Sequence, residues 1–277
     1  MPLDKTQMMK VLKEVLPNCS MTKGMTPFQL YCCLESSLLS VAGAIVVKIT
    51  LKDRQELKFI AQTENGKTVL TSMDCLATDC GDGINFEFLP EILTKLSELN
   101  LPVTAIQFPH AFMIKGRATG VAYRAHFNHL VIYKDSTDKI NASLIDSATN
   151  PLGVHNPVPG LNWLMSNSIL SGKELIQTKV LRLMATDEAK QALKSLCGLP
   201  NVDKIQVTNP VITMKQPTTG DKRCGIYTLA SIASLIKYMT SEESVTINGV
   251  AKVANEAHQL LNEKEMLDIS QQQVFTY

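Results

Sequence analysis

Aromatic side chains are scarce in this chain: one Trp, six Tyr and eight Phe in 277 residues. Charge of one sign is also missing. Lys and Arg number 27 against 26 Asp and Glu, a net charge of +1, so no field draws in nucleic acid or an anionic membrane surface. Long apolar runs are absent: the longest, Leu38 to Val47 with small residues mixed in, is about half of what spans a bilayer, so no membrane span is expected. No GxxxxGK[ST] and no GxGxxG occurs, which removes the phosphate-cradling loops of nucleotide cofactors. The seven cysteines are irregularly spaced at 19, 32, 33, 75, 80, 197 and 224. Cys75 and Cys80 have no second pair and no nearby histidine to complete a zinc set. Met1 to Lys5 lacks a basic-then-apolar signal pattern. The expectation is reduced thiols, a cytoplasmic setting and no metal or organic cofactor.

What is present is large enough for a sizeable core. Asp4 to Leu16 reads as an amphipathic helix stopped by Pro17. A second helix is expected from Pro27, behind the cap Thr26, to about Val41, with Cys32 and Cys33 in the core. The texture then turns to strand over Ala44–Leu51, Leu57–Gln62 and Thr68–Met73, and Asn65-Gly66 between the last two predicts a tight hairpin. Leu89 to Leu99 is helical. Val103–Phe108, Ala111–Ile114 and Val121–Ala125 are strands, followed by an apolar strand that starts near His129 and another over Ala142–Ser147. Residues 150–200 read as an insertion with short helices. One of these is capped by Thr186 and runs through Leu196. Short strands at Lys204–Val207 and Val211–Met214 lead to the helix that opens at Cys224, and a last helix covers Val250–Asn262.

The chemistry-bearing residues fall in the second half. Cys224 stands where the polar, turn-rich stretch from Gln216 to Arg223 gives way to apolar residues at helical spacing. A thiol there meets free backbone N–H groups and the positive end of a helix dipole, and both favour the thiolate. His129 opens one strand and Asp146 closes the next. A hairpin brings such ends together, so His129 and Asp146 are expected to be neighbours, the carboxylate fixing the imidazole. His126, three residues away on the same strand, is the main rival and is expected on the opposite face.

The order His129, Asp146, Gln216, Cys224-Gly225 resembles the clan CE cysteine proteases: the SUMO- and ubiquitin-like-protein-specific proteases, the adenovirus protease and bacterial effector relatives. Leu144-Ile145-Asp146-Ser147 is similar to that family's strand ending in Asp-Ser, and Cys224-Gly225-Ile226-Tyr227 to its helix start. Three features depart from the pattern. Leu130 stands where the family usually has tryptophan, Arg223 where it has aspartate, and Gln216 lies eight residues before the cysteine, on a longer loop.

The resemblance implies an α+β fold with a papain-like or adenain-like core, a mixed central sheet and a nucleophile-bearing helix. It implies a catalytic domain over 101–277 and leaves 1–100 as an N-terminal α+β region for substrate recognition or as the front half of one larger domain. It further implies a cysteine peptidase or isopeptidase acting on a protein substrate, ubiquitin or a ubiquitin-like modifier being the class. Cys224 would be nucleophile, His129 acid and base, Asp146 orienter and Gln216 oxyanion donor. Two alternatives stay open: an effector acetyltransferase of the same clan using acetyl-CoA, and a catalytically degenerate binding module. The acidic-then-polar tail from Asn262 resembles the export signals of bacterial effectors, which would place the protein in a host cytosol.

Overall fold

The structure, a computed structural model, describes residues 27–39, 41, 43–78, 83–115, 122–146, 176, 178–200, 202, 205–207, 211–212 and 224–261, with 6 and 10. Its first hairpin follows from two residues. Asn65 and Gly66 have φ of 52° and 73°, the left-handed pair that a two-residue type I′ turn requires. They join β2 (Glu56–Glu64) to β3 (Lys67–Ser72), and β2 pairs on its other side with β1 (Ile45–Thr50). Helix α1 (Pro27–Leu39) precedes these strands, and after β3 the chain runs through β4 (Leu76–Thr78), β5 (Ile84–Asn85) and α2 (Leu89–Ser97).

Two long strands carry the centre of the sheet. β6 (Ala105–Lys115) and β7 (Ala122–Lys134) are antiparallel, and each replaces two shorter strands expected from sequence. Pro109, with no N–H to give to a ladder, lies between the stretch of β6 that pairs with β3 and the stretch that pairs with β4. β8 (Ile140–Asp146) is antiparallel to β7; β9 (Ile205–Val207) and β10 (Val211–Ile212) both run parallel to β8. The main order is β1-β2-β3-β6-β7-β8-β10 in one mixed sheet. A boundary near residue 100 falls inside this sheet, between β3 and β6, which pair in parallel.

Helices cover both faces, so the strands are apolar on both sides, as such a sheet demands. On one face α4 (Cys224–Ser241), α5 (Ile247–Leu261) and α1 pack over Ile60, Val69, Val131, Tyr133 and Ile145. On the other, α2 and α3 (Asp187–Cys197) pack over Phe59, Phe108, Leu130, Ile132 and Leu144. α3 starts at its expected cap: the Thr186 hydroxyl accepts a hydrogen bond from the Ala189 N–H at 3.3 Å, and Gly198, at φ 61°, closes the helix. α4 is flanked by α1, α5 and the sheet, and 15 of its 18 residues are buried, which explains its nearly all-round apolar sequence. The result is the α+β class with a mixed central sheet and a Cys224-bearing helix that the sequence led us to expect. No described helix is long and apolar enough to cross a membrane. The expected helix over 4–16 and most of the insertion between 150 and 175 lie outside the described residues.

Candidate active site

The site forms where β7, β8 and the start of α4 meet. Cys224 is the first residue of α4 and is buried. It therefore stands at the helix end whose N–H groups lack intrahelical partners. Asp146 is the last residue of β8 and fully buried. A carboxylate in that setting needs a cation or strong donors, because desolvating an unpaired charge is prohibitive.

The partner of Asp146 is His126. Its Nε2 lies 2.8 Å from Asp146 Oδ1. The same ring is hydrogen-bonded to the Cys224 thiol. With Nε2 engaged by Asp146, Nδ1 is the nitrogen left for the sulfur. Burial would lower the His126 pKa. The charge of Asp146, its hydrogen bond and the contact with Cys224 outweigh this and raise the value to about 9. A buried imidazole that holds its proton at neutral pH, bonded to a thiol on one side and a carboxylate on the other, is the arrangement that keeps a cysteine ionised.

His129 is elsewhere. Its Nδ1 lies 3.1 Å from Ser231 Oγ on α4. That hydroxyl donates to the Thr228 carbonyl at 2.8 Å, so it accepts from His129, whose Nδ1 carries the hydrogen. Burial, with a smaller push from His258, drives the His129 pKa down to about 3. His129 is a neutral ring pinning α4 to the sheet. The expected pairing of His129 with Asp146 is thus corrected to His126, and the reason is strand parity. His129 stands opposite Ile145, and Leu130 opposite Leu144. Opposed residues of β7 and β8 have numbers adding to an even total, so Asp146 shares its face with even-numbered residues of β7. His126 satisfies that condition and His129 does not.

A second histidine steadies the helix start. His258 Nε2 donates to the Tyr227 carbonyl at 3.0 Å, and its ring meets that of Tyr227 edge-on with centroids 4.9 Å apart. This ties α5 to the first turn of α4, the turn that carries Cys224. Gln216 lies outside the described residues, as do Lys222 and Arg223. Of the four site residues expected from sequence, Cys224 and Asp146 are brought together, through His126; His129 is not among them. The signal that could have selected His126 is the register of one hairpin.

No protein-family model matches the chain, and no curated protein matches it. Among solved structures the chain is similar to three crystal structures of the Legionella pneumophila effector protein RavZ. Their TM-scores are 0.48, 0.44 and 0.40 at 15%, 16% and 17% identity, over 93%, 94% and 87% of this chain. The chain spans 65% of the length of the first of them, 67% of the second and 65% of the third.

Proposed function

We propose that this protein is a cysteine hydrolase that cleaves a peptide or isopeptide bond in a protein substrate. The observation that carries the reading is one buried imidazole, His126, bonded to both Cys224 and Asp146. In this mechanism the Cys224 thiolate attacks the substrate carbonyl. The His126 imidazolium, charged by the proton it shares with Cys224, gives that proton to the leaving amine as the thioester forms. His126, now neutral, then takes a proton from the attacking water, and the thiolate leaves as the acid product is released. Asp146 keeps the ring oriented and stabilises its charge throughout. The Cys224 backbone N–H, at the start of α4, is one donor for the oxyanion, and the Gln216 amide is the second in this reading; a preorganised donor supplies about 3–4 kcal/mol.

The substrate class that the sequence resemblance favours is a ubiquitin-like modifier, with the bond after its C-terminal residue as the target. The test is reaction of the full chain with a panel of electrophilic probes built on the C-termini of ubiquitin and ubiquitin-like proteins, followed by mass spectrometry. The expected result is one covalent adduct, on Cys224, lost in Cys224→Ala and strongly slowed in His126→Gln. No adduct with any probe, together with a Cys224 thiol that titrates near the free value of about 8.5, would overturn the reading.

A further inference from the structure

Behind the His126–Asp146 pair a line of buried polar side chains crosses the sheet. Thr78 on β4, His110 on β6 and Asn128 on β7 are each at least 96% buried, and two hydrogen bonds join them. Thr78 Oγ1 lies 3.0 Å from His110 Nε2, and His110 Nδ1 lies 2.8 Å from Asn128 Oδ1. His110 and Asn128 are direct cross-strand partners. The β7–β8 register, taken one step beyond the His129–Ile145 pair, sets Asn128 opposite Asp146. Continued across that register, the line leads to Asp146, the carboxylate of the site.

The direction of each bond follows from what the groups can do. An amide oxygen only accepts, so His110 Nδ1 carries the hydrogen. Burial keeps this ring neutral, against the raising influence of Asn128, and its pKa falls to about 4. Its Nε2 then accepts from the Thr78 hydroxyl. This fixes the Asn128 amide as well: its oxygen is turned to His110 on β6, and Nδ2 is the group left for a second partner. Nδ2 is buried and has no hydrogen-bond partner. A buried N–H group without a partner is costly, and the continued register makes Asp146 the cross-strand neighbour of Asn128. His110 itself lies near enough to feel the charges of both His126 and Asp146.

We propose that Asn128, held in place by His110 and Thr78, is a positioning residue for Asp146, its amide N–H donating to the carboxylate when the Cys224–His126 ion pair forms. The inference rests on the hydrolase reading. A neutral donor suits the task. It stabilises the ionised carboxylate without cancelling the charge that holds His126 protonated, and so widens the pH range over which thiolate and imidazolium coexist.

The test is the pH dependence of Cys224 alkylation by iodoacetamide in the full chain, with Cys224→Ala as the blank for the other thiols. In the native sequence we expect an apparent thiol pKa well below about 8.5. In Asn128→Leu we expect it to rise by about one pH unit, which slows alkylation about tenfold on the acid side. The double variant His110→Phe/Asn128→Leu replaces both partners by apolar groups, so it is expected to regain thermal stability while its profile stays shifted. It also serves where the single variant does not fold. A profile that returns with stability, or one unchanged in Asn128→Leu beside a depressed native pKa, overturns the positioning role alone. A native chain with no depressed thiol pKa overturns the hydrolase reading and this inference with it.

Discussion

His126 and His129 stand three residues apart on one strand, both almost fully buried, and their rings are driven in opposite directions. His126 is raised to about 9, against its own burial, by Asp146 and Cys224. His129, facing the Ser231 hydroxyl on α4, is lowered to about 3. Burial alone lowers a histidine; what reverses it is the charge across the strand. On a strand that charge is decided by face, so an odd offset separates a ring poised to exchange protons from one that serves as a neutral strut.

The two rings are expected to differ most in the reaction. His126→Gln is expected to cut probe labelling of Cys224 by about 10²–10⁴-fold, the range a positioned acid/base supplies. His129→Leu, which keeps the bulk and removes the Ser231 bond, is expected to stay within a few-fold of the native rate while costing about 1–3 kcal/mol of stability. Labelling time courses and urea unfolding of both variants separate the two effects. A loss of labelling in a stable His129→Leu protein, with His126→Gln active, would reverse the assignment.

Two thiols depend on their surroundings in the same way. Cys197 and Cys224 are both buried helix residues. Cys197 ends α3, at the carbonyl end of the dipole, and burial, outweighing an opposing pull from Lys134, pushes its pKa up to about 12. Cys224 begins α4 and has His126 beside it. Residue-resolved alkylation at pH 7 is expected to modify Cys224 at least about tenfold faster than Cys197, the latter reacting only as the protein unfolds. Comparable rates would mean that helix end and partner do not govern either thiol.

Much of this architecture was legible because it is local. Asn65-Gly66 named its turn, Thr186 its helix, and the change from polar loop to apolar period at Cys224 named the start of α4. Asp146 at a strand end was visible for the same reason. The choice between His126 and His129 was not, because it depends on how many residues close the β7–β8 hairpin. Residues 135 to 139 do so here, with the Asp135 N–H bonded to the Lys139 carbonyl and the Asp135 carboxylate accepting from Thr137 and Lys139. One residue more or fewer would place odd positions opposite Asp146, and the composition of that turn suits either length. The continuity of β6 and β7 was hidden too. Pro109 reads as a break in a strand, and only the change of partner from β3 to β4 makes room for it.

The smallest effect per residue is on stability against acid, and its sign separates the two kinds of histidine. His129, His110 and His258 have folded values of about 3, 4 and 4, all lowered chiefly by burial. Unfolded, each would titrate near 6.5. Their contribution to stability is complete above pH 6.5 and is lost as pH falls toward 4, because the unfolded chain binds protons that the folded one refuses. Each such group adds a slope of about 1.4 kcal/mol per pH unit in that window, so the three together give about 4. His126 has the opposite sign: its contribution is complete below 6.5 and fades as pH rises through about 9. Urea unfolding at intervals from pH 4.5 to 9.5 is therefore expected to show steep loss on the acid side and a gentler loss on the alkaline side. His129→Leu should flatten the acid limb by one proton and leave the alkaline limb alone, whereas His126→Gln should act on the alkaline limb. If His129→Leu leaves the acid slope unchanged, that ring is already protonated in the folded protein, and burial does not hold it neutral.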